Sequence, residues 1–143
     1  MTNHLKLADS YLRLSDEEKK YGNESESITN QREIIRDYCK KQGIIIVSEF
    51  VDDGYSGGNF ERPGFQAMLN HLAAGKANTV ITKDLSRLGR DMTESSYYAE
   101  RFFPEHGIHY LAPGNDFDSM GDNLMAPFQF AMNDVYLRDT SRK

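Results

Sequence analysis

Apolar positions along this chain alternate between a strand-like period of two and a helix-like period of three to four, and each change marks an element. Leu7 to Leu14 contains a short apolar stretch suited to a strand, whereas Ser15 to Glu26 is polar, includes Gly22 and Asn23, and has no period, which predicts a loop. From Ser27, an N-cap residue type, Ile28, Gln31, Ile34, Ile35, Tyr38 and Gln42 follow a helical spacing that stops at Gly43, where a left-handed cap fits. Ile44 to Val51 is β-branched and apolar and predicts a second strand. Asp52 to Glu61 holds three glycines without periodicity and predicts a loop. Pro63 opens a second helix with Phe65, Met68, Leu69 and Leu72 on one face and Gly75 as terminator. Thr79 to Thr82 then predicts a buried strand, Met92 to His106 a helix, and Ile108 to Ala112 another strand. Strand and helix alternating through short links predict an α/β fold. Its mostly parallel central sheet has four to five strands, with helices on both faces.

The last segment, Leu124 to Lys143, is apolar at Met125, Phe128, Met132 and Val135, and also at Leu124, Phe130, Ala131 and Leu137 around the rest of the wheel. A helix apolar on most sides has more than one neighbour: its own core can cover one face, and either a partner subunit, the simplest cover, or a crowded core can cover the other. No cap or breaker closes this pattern at Arg138 to Lys143, which predicts a long helix of which residues 124–143 are the beginning. The α/β core is accordingly expected over about residues 7–123, within one domain covering residues 1–143.

At 143 residues and 38% hydrophobic content, one domain can close its core without disulfides or metals. Cys39 is alone and falls within a helical pattern, which favours a buried structural thiol. There is neither an apolar run long enough to span a membrane nor an export signal at Met1 to Lys6, so the expected location is cytoplasmic. A formal charge of −5 argues against a free-standing nucleic-acid binder. The cations Arg13, Arg62, Lys83, Arg87 and Arg90 nevertheless stand apart from acidic runs such as Asp16 to Glu18, and one focused positive site is compatible with an acidic whole.

Arg13 and Ser15 share one side of an extended strand end, because side chains alternate with period two. Ser86, Arg87, Gly89 and Arg90 follow the predicted strand Val80 to Thr82, and ligand sites in open parallel sheets lie at the carboxyl ends of strands. Arg87 and Arg90 share a face if the backbone turns helically there. Cations at a helix start oppose the dipole, which favours a bound anion, and two guanidinium forks converging on one point grip a phosphate. Gly54 to Gly58 matches a G-x-S-x-G nucleophile elbow in form, but that motif needs a helix straight after the serine, and a loop intervenes here. The histidines His4, His71, His106 and His109 lack ligand spacing, and one cysteine removes thiolate sites. Asp52/Asp53 and Asp116/Asp118 read as solvated turn formers rather than Mg²⁺ ligands, so no metal and no cofactor is expected.

Four blocks occur in order: Tyr11-Leu-Arg-Leu-Ser15, the stretch from Gly54 to Phe65 (GYSGGNFERPGF), Lys83-Asp-Leu-Ser-Arg-Leu-Gly-Arg-Asp91 and Arg138-Asp-Thr-Ser-Arg-Lys143. Together they resemble the catalytic domain of the serine site-specific recombinases, the resolvase/invertase superfamily, and within it the large transposon-type members that excise and integrate mobile elements in bacteria. The resemblance covers nearly the whole chain. It implies that Ser15 is the nucleophile, joined to a DNA 5′ phosphate while a 3′ hydroxyl leaves, and that Arg13, Arg62, Arg87 and Arg90 are the active-site arginines. It implies supporting places for Gln31, Asp52 and Ser56, with Asp52 orienting an arginine; Lys83 and Ser86 lie in the same block as Arg87. It further implies a homodimer that pairs into a tetramer, cuts all four DNA strands, rotates half of the complex and religates, with the long C-terminal helix as the main oligomer contact. Specific DNA contacts are expected mainly from domains absent from this chain. Lys19 stands where many relatives have glutamine, and Ser86 where small resolvases have aspartate.

That chemistry suits these residues. In-line attack on a phosphodiester places negative charge on the non-bridging oxygens, and four arginines can do the work other enzymes assign to Mg²⁺. A serine ester keeps the phosphodiester energy, so strands rejoin without ATP. No histidine base accompanies Ser15, which leaves an arginine or a water to handle protons. Because Ser15 opens a loop and the arginines follow separate strands, the isolated domain is expected to be catalytically unassembled. The competing expectation is a non-catalytic oligomerisation or phosphate-binding module on the same scaffold.

Overall fold

A computed structural model describes residues 5–15, 18–19, 27–53 and 62–119. The predicted alternation forms a five-stranded sheet in the order β2-β1-β3-β4-β5. β1 (Leu7–Leu14), β2 (Ile45–Asp53), β3 (Thr79–Ile81) and β4 (His109–Ala112) are parallel, and β5 (Phe117–Asp118) runs antiparallel to β4. Strand alternation decides which layer each side chain joins. Tyr11, Val80 and Tyr110 pack with Phe65, Met68 and Leu72 of α2 (Pro63–Ala73) and with Phe103. Their chain neighbours Leu12, Ile81 and Leu111 pack on the opposite face with Ile35 and Cys39 of α1 (Ile28–Gln42). Both faces are covered, as a parallel sheet requires.

α1 begins and ends where its sequence signals lie. Ser27 accepts from the Asn30 amide at 3.0 Å, and Gly43 adopts φ 72° at the C-terminal cap. Burial of Cys39 confirms the structural reading of that thiol. The segment 124–143, with its expected helix, lies outside the described residues, as does Ser56.

Three features depart from the sequence pattern. β2 continues past Val51, so Asp52 and Asp53, expected in a loop, pair with Arg13 and Leu14 on β1. The cause is a buried role for Asp52, whose carboxylate accepts from the Tyr11 hydroxyl at 2.6 Å and from the amides of Gly64 and Phe65 at 2.8 and 3.0 Å. It thereby satisfies the first amides of α2, whose N-cap residue Arg62 makes no side-chain cap bond. Next, the helix expected from Met92 to His106 is regular only as α3 (Met92–Tyr97), then widens into a π-helical stretch (Tyr98–Phe102) before a last turn at Phe103–Glu105. Pro104 has no N–H to give the Glu100 carbonyl, and the wider turn accommodates that loss. Finally, β5 is too short to show a period. It is turned back onto β4 by the 3₁₀ turn Pro113–Asn115 and by Asp116 at φ 51°.

Replacing Asp52 with alanine strips acceptors from two buried donors and one part-buried donor and is expected to lower unfolding stability by about 3 kcal/mol in urea titration, with Asp52→Asn losing less. Burial pushes the Cys39 thiol up to about 11. It should therefore resist a thiol reagent at mildly alkaline pH in the folded protein and react as the protein unfolds.

Candidate active site

Strand order puts β1 between β2 and β3, so the chain leaves β1 for one side of the sheet and returns to the other. The carboxyl ends of β1 and β3 flank the point where the order reverses, the place where open parallel sheets form a crevice. Ser15 follows β1, and the run from Lys83 to Asp91 follows β3. Arg62 joins them from the start of α2, which Asp52 ties back to β1 through Tyr11.

Arg13 is held at both its backbone and its head. The Gln31 side chain, fully buried on α1, accepts from the Arg13 amide at 3.2 Å and donates to the Arg13 carbonyl at 2.9 Å. The Arg13 guanidinium donates to the carbonyls of Ser86 and Gly89 at 2.6 and 3.3 Å, bridging β1 to the loop after β3. Its buried Nε–H has no acceptor among the described residues. Arg87 returns the contact, donating from Nη1 to the Arg13 carbonyl at 3.1 Å, and is itself only 3% exposed.

The loop carrying Arg87 is built by short-range bonds. Asp84 caps the 3₁₀ turn Leu85–Arg87, accepting from the Ser86 amide at 3.0 Å and from the Ser86 hydroxyl. The Lys83 carbonyl accepts from the Gly114 amide at 2.7 Å, and the half-buried Lys83 stands at the root of the loop. Ser95, buried on α3, accepts from the Gly89 amide at 3.0 Å and donates to the Leu85 carbonyl at 2.8 Å. A Cβ on Gly89 would come within 2.6 Å of the Ser95 nitrogen, so only glycine lets loop and helix approach this closely.

Arg87 and Arg90 would share a face only if the backbone turned helically between them, and it does not: the structure separates them by environment. The helical turn ends at Arg87, which points inward, whereas Arg90 is exposed just before the Asp91 cap of α3. Glu94 links Arg90 to Arg62. It accepts from the Arg90 amide at 3.0 Å and the Arg62 Nη2 at 2.9 Å, and lies 3.7 Å from the Arg90 Nε. Arg62 also donates to the Leu88 carbonyl at 2.8 Å, with its guanidinium 4.0 Å over the Phe65 ring. Asp52, expected to orient an arginine, bonds no guanidinium among the described residues. It holds the start of α2, and with it the backbone of Arg62.

Ser15 and Glu18 form a reciprocal cap. The Ser15 hydroxyl accepts from the Glu18 amide at 3.0 Å, and the Glu18 carboxylate accepts from the Ser15 amide at 3.1 Å. The same carboxylate pairs with Arg87 Nη1 at 2.8 Å. Lys19 turns the other way, 3.7 Å from Asp53 in a solvent-exposed pair. Neither Glu18 nor Glu94 was singled out by sequence, although each stands three residues after a cap, Ser15 and Asp91, and that spacing is the signal that finds them.

Burial lowers the Arg13 pKa, and the neighbouring charges of Arg87 and Arg62 push it the same way, so three guanidinium groups share one electrostatic neighbourhood. Burial also raises the Tyr11 hydroxyl, with the bond to Asp52 adding to the effect, so Tyr11 remains a donor. No cluster of metal-ligating side chains occurs among the described residues, and no described helix is long and apolar enough to cross a membrane. Chemically, the arrangement offers a hydroxyl beside fixed cationic donors, a frame for an anion.

Removing the Glu94 carboxylate leaves the nearly buried Arg62 guanidinium without its ion partner. Glu94→Ala is expected to cost about 2 kcal/mol in denaturant unfolding, less than for a fully buried pair because Glu94 is 27% exposed.

The chain superimposes on solved structures over almost its full length. The N-terminal catalytic domain of TP901-1 integrase matches with a TM-score of 0.72 and 22% identity, covering 96% of this chain and 97% of that one. A resolvase family site-specific recombinase from Streptococcus pneumoniae matches with a TM-score of 0.72 and 21% identity, covering 95% and 91%. In sequence, an uncharacterised immunity region protein of Bacillus phage phi105 is 35% identical over 65 residues, which is 46% of this chain and 77% of that protein. The family model described as the resolvase N-terminal domain matches residues 8–142, and the chain therefore belongs to that family, the catalytic domains of the serine recombinases.

Proposed function

We propose that this domain cleaves and rejoins DNA with Ser15 as nucleophile and Arg13, Arg62, Arg87 and Arg90 as the cationic frame for the scissile phosphate. One observation carries the reading: Ser15 and the guanidinium groups of Arg13, Arg62 and Arg87 come together at the end of the sheet where its strand order reverses. The Ser15 Oγ attacks phosphorus and gives up its proton while the bond to the 3′ oxygen breaks, and that oxygen takes a proton as it leaves. The DNA is then joined through its 5′ phosphate to Ser15. Attack of a 3′ hydroxyl on this ester reverses the step, releasing Ser15 and restoring a phosphodiester without ATP. An arginine or a water serves as proton carrier, and the guanidinium groups stabilise the charge that develops on phosphorus oxygens.

Gln31 and Asp52 act here as positioning residues, one through the Arg13 backbone and the other through the start of α2. The family resemblance gives Ser56 a supporting place, and Lys83 and Ser86 join it from the block that carries Arg87. Arg90, exposed beside Glu94, contributes from the rim. With a net charge of −5, this domain would draw its DNA affinity from basic domains outside it, and dimers pairing into a tetramer would bring the cutting sites together. Excision or integration of a mobile element is the reaction this assembly would perform.

The test uses the protein with its DNA-binding domains and supercoiled DNA carrying its site. A covalent protein–DNA adduct on a denaturing gel is expected, absent in Ser15→Ala. Each single Arg13, Arg62 or Arg87→Ala change should slow adduct formation by about 10²- to 10³-fold, the usual loss for one donor at an anion site. No Ser15-dependent adduct would overturn the recombinase reading and favour a non-catalytic phosphate-binding module.

A further inference from the structure

We propose that Glu18 is an autoinhibitory latch: its carboxylate occupies the anion position between Ser15 and Arg87, and a DNA phosphate must displace it before attack can occur. The inference rests on the recombinase reading for the identity of the displacing anion. Its geometric basis is independent of that reading. Glu18 accepts from the Ser15 amide at 3.1 Å and from Arg87 Nη1 at 2.8 Å, which are the donors a phosphate beside the nucleophile would use. Its amide also donates to the Ser15 Oγ at 3.0 Å, so the hydroxyl is engaged in the same cap. A carboxylate and a phosphate cannot both sit there, because like charges repel and the two Nη1 hydrogens of Arg87 already serve the Arg13 carbonyl and Glu18.

Glu94 provides the contrast. It pairs with Arg62 and accepts from the Arg90 amide in the first turn of a regular helix, and it makes no bond to Ser15 among the described residues. Those bonds read as permanent structure. Glu18, at 32% exposed, is about as open as Glu94 at 27%, but it is the carboxylate joined to Ser15 itself as well as to an arginine.

A carboxylate beside a serine hydroxyl also invites the role of proton acceptor. Burial pushes the Glu18 pKa up, but the bonds from Ser15 and the Arg87 charge outweigh it and hold the carboxyl below its ordinary range. That makes it a weak base at neutral pH, since efficient proton acceptors are tuned toward the working pH. Displacement fits better than proton transfer. Arg87 exchanges a carboxylate oxygen for a phosphate oxygen, Glu18 swings to water, and no covalent bond is made or broken.

Glu18→Gln separates charge from cap, because glutamine keeps the reciprocal cap with Ser15 while removing the charge that holds Arg87. Inorganic phosphate, titrated at constant ionic strength and followed by the Arg87 side-chain NMR signal, should bind at least ten-fold more tightly to E18Q than to the unsubstituted chain. Glu18→Ala, which also loses the cap, should move in the same direction if its thermal melt shows a folded protein. In the protein carrying its DNA-binding domains, E18Q should form the Ser15 adduct several-fold faster at limiting DNA. Unchanged or weaker phosphate binding in both variants overturns the latch. So does an E18Q adduct that forms more slowly with a shifted pH profile, the signature of a proton acceptor. Tighter phosphate binding without any Ser15-dependent adduct would uphold the latch and refute the recombinase reading. A normal adduct with no E18Q effect would do the reverse.

Discussion

Buried guanidinium groups are the constraint around which this structure is arranged. Arg13, Arg62 and Arg87 are drawn to one end of the sheet, where Arg62 and Arg87 are buried and where burial and the charges of the other two disfavour the charged form of Arg13. A buried cation is costly unless most of its donors are met by oxygens, so the surrounding backbone is shaped to supply them. The carbonyls of Arg13, Ser86, Leu88 and Gly89 all point into guanidinium donors, and Glu18 and Glu94 add charge. The loop after β3 takes its path from this demand: its carbonyls turn toward Arg13 and Arg62 while Asp84, Asn115 and Ser95 occupy its amides.

The same demand explains why two positioning groups are buried polar residues in an apolar setting. Gln31 lies on the apolar face of α1, beside Ile35 and Cys39, because its amide completes the backbone of Arg13 where β1 runs out of partners. Asp52 lies at the end of β2 for a parallel reason, exchanging one carboxylate for three donors from β1 and α2. Each is fully satisfied toward its neighbours, which is the condition under which a buried polar group specifies a fold rather than weakening it. Helix, strand and arginine are thus fixed by the same few atoms.

Local chemistry made much of this legible from sequence alone. Ser27 and Gly43 bound α1, Pro63 starts α2, and the apolar runs at Val80 and Tyr110 give the central strands, because caps, proline and burial act within a few residues. The resemblance gathered Ser15, Arg13, Arg62 and Arg87 into one site, and the sheet brings them to one end. What was not legible depends on partners distant in sequence. β2 extends to Asp53 because of Tyr11 and Phe65, which no period reveals. The π stretch before Phe103 and the two-residue β5 are responses to Pro104 and to the turn at Asp116, too short or too irregular for pattern reading. Arg87 and Arg90 diverge because the 3₁₀ turn stops between them, so spacing alone could not assign them a common face.

An acidic chain with a cationic site follows from the same physics. The chain carries a net charge of −5, while Arg62 and Arg87 sit behind carbonyls and paired carboxylates. A site preset in this way holds free anions weakly, since any newcomer must replace an existing partner before it gains a new one. It favours an anion that brings several contacts at once, as a phosphodiester fixed in place by other DNA contacts does. The arrangement therefore separates holding the arginines in position from exposing them, and the exchange of one carboxylate for one phosphate is the step at which the two become the same event.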